Sequence, residues 1–254
     1  MKKTPRLRSV SFLLFLFLAL SCERNGPDVQ AADESAPEIA SGADVIARAA
    51  DNWGGRERLD ALSTIRAEFT YDEADGPVTH DIARPNLVRS TGGDRYTSVF
   101  DGHRAAFLHY VDREGNAREP FLVEEDEVKD WELEKAWVFP AFFDHPAEYL
   151  GVENLGGSSV HVLRVNLPLG ARVDYFLDAG SFLVVRAEGL ATIGGTNYGS
   201  GREFFDFQEI DGILYPTRMT YFYGDGDPQP GTIGPIVFNV SFPANHFVVP
   251  AALR

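Results

Sequence analysis

From Ile65 onward the chain alternates, with Ile65, Ala67, Phe69 and Tyr71 interleaved with Arg66, Glu68, Thr70 and Asp72. A period of two describes a strand with one buried and one wet face. Short runs of the same kind recur at 78–83, 87–91, 96–100, 104–111, 149–154, 160–167, 172–177, 183–188, 203–210, 214–223 and 236–242. Turn pairs such as Asp101-Gly102, Gly156-Gly157, Ala179-Gly180 and Asp211-Gly212 separate several of them and supply the positive φ angles of tight hairpins. The pattern predicts a mainly β (α+β) fold, in which a single antiparallel sheet of about ten strands meanders in sequence order.

Helical spacing appears in only a few places. Ser41 and Asp44 form a capping box ahead of Val45, Ile46, Ala49, Ala50 and Trp53, and Gly54-Gly55 ends that helix. A second short helix, 56–62, turns Leu59 and Leu62 inward. Glu124 to Glu134 is acidic and helical in pattern, and it runs into the most aromatic window beyond residue 22, Trp137 to Phe143. Pro140 argues against a central strand in that window. Gly224 to Gly234, with Pro228 and Pro230, reads as a long exposed loop, and Gly194 to Gly201 as a glycine-rich connection.

Before residue 41 the character changes. Lys2, Lys3, Arg6 and Arg8 precede an apolar run, Phe12 to Leu20, too short for the ~20 residues of a bilayer-spanning helix. A basic head, a short apolar core and small residues before a cut describe an export signal over 1–21. The cut falls before Cys22, the only cysteine. This segment resembles a bacterial lipoprotein signal, which implies that Cys22 is acylated and holds the chain on membrane lipid. Glu23 follows where an aspartate would favour the inner membrane in that class, so the resemblance implies the periplasmic face of the outer membrane. Residues 22–41 are polar and proline-containing, a tether with a reach of roughly 25 Å, and 42–254 is expected to form the folded domain.

Charge and chemistry narrow the function. With 38 acidic against 23 basic side chains the formal net charge is −15. That surface repels nucleic acid, gives no basic stripe for backbone neutralisation, and leaves a cationic protein as a compatible partner. No Gly-x-Ser-x-Gly elbow occurs, and the six histidines show neither His-x-x-x-His nor His-x-His spacing. No catalytic residue, metal or cofactor is therefore expected. The chain offers aromatic surface instead, with 19 Phe, 9 Tyr and 3 Trp. On a curved sheet such side chains either fill the interior or line a hollow for an apolar ligand.

Arg84-Pro85-Asn86-Leu87, followed by Asp101-Gly102 and a strand, resembles the periplasmic lipoprotein-carrier family and the wider outer-membrane lipoprotein-sorting proteins. The Tyr175-Phe176-Leu177-Asp178 strand end and Ile210-Asp211-Gly212-Ile213-Leu214-Tyr215-Pro216 are similar to later segments of that family. The resemblance implies a half-open barrel whose helices lid an apolar hollow that takes acyl chains or a lipoprotein. It implies that Arg84 bonds the lid across the mouth, with Trp137, Phe139, Phe142 and Phe143 forming an apolar flap. Phe69, Tyr71, Leu87, Phe107, Tyr175 and Leu177 are expected to line the hollow with them. The alternative is a filled hollow on an anchored protein-interaction or envelope-sensor module.

Overall fold

Fourteen strands in one sheet make up most of the fold in the computed structural model, which describes residues 41–71, 76–193, 196–224 and 226–253. The expected export signal, Cys22 and the tether up to residue 40 lie outside the described residues. Helices α1 (Gly42–Asn52) and α2 (Arg56–Ala61) precede β1 (Thr64–Tyr71), β2 (Val78–Ala83), β3 (Leu87–Gly92), β4 (Tyr96–Phe100) and β5 (Ala105–Val111). Two-residue strands β6 (Ala117–Arg118) and β7 (Phe121–Leu122) follow, then α3 (Lys129–Val138) and a 3-10 turn, Ala141–Phe143. The second half is β8 (Ala147–Leu155), β9 (Ser158–Asn166), β10 (Arg172–Asp178), β11 (Val184–Ile193), β12 (Thr196–Ile210), β13 (Ile213–Tyr223) and β14 (Gln229–Phe238).

The strand order is β6-β5-β4-β3-β2-β1-β14-β13-β12-β11-β10-β9-β8, with β7 added on β5, and every pairing is antiparallel. Two meanders are thus sewn together by β1 against β14, and the path ends at β6 and β8 without closing. Helix α3 touches β2 and β3 on one side and β10 and β11 on the other. Strands that far apart in the order meet one helix only if the sheet curves around it, so α3 lies on the concave face of a half barrel.

The local rules account for most elements. Ser41 caps α1, its Oγ bonding both the Asp44 amide and carboxylate. Gly54 ends the helix at φ +124, where a Cβ would stand 2.1 Å from the Gly212 carbonyl oxygen. Only glycine lets the helix end approach the β12–β13 turn so closely, and the Leu214 amide seals the contact by donating to the Trp53 carbonyl at 3.0 Å. In β1, Ile65, Ala67 and Phe69 are buried while their neighbours are not, as the alternation predicts.

Three expectations need correction. The sheet has fourteen strands rather than about ten, partly through the short β6 and β7. The segment 124–134 becomes helical only from Lys129, and the helix runs on to Val138. The stretches read as a glycine-rich connection and an exposed loop contribute strand residues from Thr196 and from Gln229. Pro230 pairs with β13 just beyond the last β1 partner, Gly231, and Pro235 lies beyond the last β13 pair, opposite the β1 bulge between Ala67 and Phe69. Each proline sits where only one neighbouring strand claims hydrogen bonds, so the missing N–H costs no ladder bond.

After β14 the chain crosses the convex face. Val249 joins Val99 and Ala106 in a small second core, and His246 Nε2 bonds Asp81 at 2.7 Å beside the Arg66–Asp81 pair.

Candidate functional site

The Arg84 to Leu87 motif is the turn between β2 and β3, and its polar side chains reach across to the lid formed by α3 and the 3-10 turn. Arg84 donates from Nε to Asp144 Oδ1 at 2.8 Å and from Nη1 to the Leu62 carbonyl at 2.6 Å and to the Leu59 carbonyl. Its guanidinium stacks 4.6 Å from the centre of the Phe139 ring. Lys135 donates to the other Asp144 oxygen. The three charges are shielded from water, with side-chain exposures of 11% for Arg84, 6% for Asp144 and 1% for Lys135. Burial pushes the Asp144 carboxyl up, but Lys135 and Arg84 reverse this and hold it below the ordinary carboxylate range. Burial pulls the Lys135 ammonium down, and Asp144 opposes that.

A second polar tie fixes the other side of α3. Asn86 Nδ2 donates to Glu132 Oε1 at 3.0 Å, while Glu132 Oε2 accepts from the Leu169 amide, in the β9–β10 turn, at 2.9 Å. Glu132 is fully buried, which raises its pKa against the pull of these two bonds. One carboxylate on α3 therefore holds both rims of the mouth.

Below the lid the floor is aromatic. The Tyr175 hydroxyl donates to the Ala136 carbonyl at 3.1 Å and accepts from the Ala141 amide at 2.9 Å. The Tyr215 hydroxyl donates to the Val138 carbonyl. These bonds satisfy backbone groups at the end of α3 that would otherwise be orphaned. Gly189 on β11 gives the helix its seat: a Cβ there would lie 2.9 Å from Leu133 Cδ2 and 3.2 Å from the Trp137 ring.

The residues expected to line the hollow fall into three places. Phe69, Phe139, Tyr175 and Leu177 are fully buried, and Trp137, Phe142 and Phe143 nearly so, all in one core. Phe142 meets Tyr175 edge to face at 5.1 Å and lies tilted against Phe143 at 4.5 Å. Leu87 is half-buried in the motif turn. Phe107 stands apart, against Phe121 at 5.2 Å and Trp131 at 5.8 Å, at the other end of the lid. Tyr71 lies at that end too, beside Arg202. Asp144, Lys135, Glu132 and Asn86 were not expected at the site. Asn86 belongs to the quoted motif and Asp144 directly follows the aromatic window, so position was their only signal.

Where α3 meets the aromatic floor the space is nearly filled. Between the lid and the floor, among Trp53, Trp137, Tyr175, Phe204 and Tyr215, about 10 Å³ of space remains, at the lower limit for a single water. An open cleft of about 520 Å³ lies beside the lid, walled by Ala43, Ile46, Ala47 and Ala50 of α1 and by Phe142, Phe143 and His145. Among the described residues no helix is long and apolar enough to cross a membrane, and no group of His, Cys, Asp or Glu is placed to hold a metal.

No family model matches the chain, and no curated protein matches it. Solved structures do. A DUF1329 family protein from Desulfovibrio piger is 15% identical, with a TM-score of 0.42 over 81% of this chain and 98% of its own. A candidate outer membrane lipoprotein-sorting protein domain from Vibrio parahaemolyticus is 12% identical, with a TM-score of 0.40 over 80% of this chain and 94% of its own. A LolA superfamily protein from Nitrosomonas europaea is 11% identical, with a TM-score of 0.40 over 83% of this chain and 99% of its own. These neighbours include the family that the Arg84 motif resembles.

Proposed function

We propose that this chain is an acyl-anchored protein of the bacterial envelope whose half barrel takes up an acyl chain, or another elongated apolar ligand, when the α3 lid moves, and that it performs no chemistry. Lipoprotein or lipid trafficking is the setting in which such a protein serves. The observation that carries the reading is how the lid is fastened. Its aromatic underside covers an aromatic floor, yet its rims are held by the Arg84–Asp144–Lys135 cluster and by Glu132. Buried ion pairs are a poor way to gain stability and a good way to define one closed arrangement. Charges that cost desolvation when shut are rehydrated when open, so a polar rim lowers the cost of lifting an apolar lid.

The small residual space favours a second reading, in which the hollow stays filled and the anchored domain binds a protein partner through its acidic surface. Native mass spectrometry of the full chain, extracted from membranes in mild detergent, separates the two. Acyl lipid bound beyond the covalent anchor supports the first, and a bare chain at every lipid concentration supports the second. Cys22→Ser tests the anchor by itself: it is expected to move the protein to the soluble fraction, and sedimentation with membranes at the parent level refutes acylation as the attachment.

A further inference from the structure

The concave floor has a second end, toward Tyr71, whose polar groups take no part in the Arg84 latch. His80, Ser90 and Ser98 lie side by side on β2, β3 and β4, all buried, with His80 Nδ1 and the Ser90 hydroxyl 2.9 Å apart. Across the floor on β12 stands Arg202, 5% exposed. Its guanidinium lies 4.3 Å from the centre of the Tyr221 ring and 5.6 Å from that of Trp137, with the Tyr71 hydroxyl against it. Nη1 donates to the Gly201 carbonyl at 3.0 Å, while Nε is buried with no hydrogen-bond partner.

Arg84, Lys135 and Arg202 all carry a shielded positive charge, and two of them share Asp144. Arg202 has no carboxylate at ion-pair distance among the described residues, and the charge that acts on the same groups, Glu134, is on the lid. A buried cation without an anion is costly, and a guanidinium edge with an unused Nε matches the two oxygens of a carboxylate. What covers it belongs to the lid. Trp137 is on α3, and so is Glu134, whose carboxylate faces this end at 3.9 Å from His80 Nδ1. When α3 lifts, the ring and the negative charge leave together. Arg202 then faces the open floor as an isolated cation in a protein of net charge −15.

We infer that Arg202, framed by Tyr71 and Tyr221, binds the carboxylate head of an amphiphile whose apolar tail replaces the lid over the floor. This rests on the lid-gated reading of the hollow. The test is the affinity of the full chain for cis-parinaric acid and for its methyl ester, which share a tail and differ in charge. The acid is expected to bind the parent at least about tenfold more tightly, the scale of a charge-assisted hydrogen bond. Arg202→Gln is expected to abolish that preference with ester binding unchanged, and Arg202→Lys to keep part of it. Equal affinity of the parent for both probes overturns the inference and leaves the apolar hollow standing. A preference that persists in Arg202→Gln also overturns it. If neither probe binds the parent, the hollow reading falls and takes the inference with it. Where Arg202→Gln does not fold, the parent comparison and Arg202→Lys decide the matter.

Discussion

Replacing Arg84 with leucine cuts the latch at one point and leaves the rest of the lid its own contacts. The side chain gives up its bonds to Asp144, its bonds to the Leu59 and Leu62 carbonyls, and its stacking on Phe139. Asp144 keeps Lys135, so the variant does not strand a bare carboxylate. The loss therefore belongs at the scale of charged hydrogen bonds, about 1.5–3 kcal/mol, rather than the 3–5 kcal/mol, roughly, of orphaning a buried charge. Spent on the lid equilibrium, that is a rise of roughly tenfold to a hundredfold in the open population. Amide exchange read by mass spectrometry resolves this directly. Peptides covering 129–143 are expected to exchange faster by that factor, while those covering β9, β10 and β13 keep the parent rate. An apolar fluorophore should then enter Arg84→Leu more readily at unchanged circular dichroism. Equal lid exchange in parent and variant refutes the latch; equal acceleration in lid and sheet means that Arg84 stabilises the whole domain and gates nothing.

Other perturbations reach different parts of the same arrangement. Burial lowers the pKa of His80, so its contribution to stability is complete above the unfolded value of about 6.5 and is lost as pH falls below it. Thermal denaturation should show stability falling as pH drops below about 6.5, with a shallower slope in His80→Gln; the same slope in both sinks the assignment. Gly189→Ala places a methyl group 2.9 Å from Leu133 and 3.0 Å from the Arg172 carbonyl oxygen, so it should cost about 1–3 kcal/mol by overpacking and speed exchange in α3. A neutral result in denaturant titration refutes the close seat. Phe142→Ala removes a 3% exposed ring packed on Tyr175 and Phe143, with an expected loss of about 3–5 kcal/mol. A loss under 1 kcal/mol, roughly the scale of surface changes, would mean that the flap is not core in solution.

Much of this fold was legible in the alternation of Ile65 to Tyr71 and its repeats, because a half-buried strand imposes its period directly on the sequence. The capping box at Ser41 and the stop at Gly54 were legible for the same reason: their causes lie within a few residues. What escaped depends on partners far along the chain. β14 carries Pro230 and Pro235, and only the reach of β1 and β13 on either side makes them harmless. Glu132 and Lys135 look like solvent-facing helix residues until Asn86, Leu169 and Asp144 arrive from elsewhere to satisfy them. At the site, Arg84 was marked by its motif and the aromatic window by its composition, whereas Asp144 and Arg202 carry no local pattern at all.

Helix α3 is bonded through Glu132 to the β2–β3 turn and to the β9–β10 turn, which lie in the two meanders joined at the β1–β14 seam. A bar fixed to both arms of an open spring is a tie-rod. It sets how far the arms stand apart, and the bulge in β1 at that seam is where the ladder is already interrupted. Releasing that tie would leave the arms free to spread about the seam without breaking the strand pairs on either side. On the proposed lid-gated reading, the room gained for a ligand would be the volume under the helix together with the volume released as the arms spread.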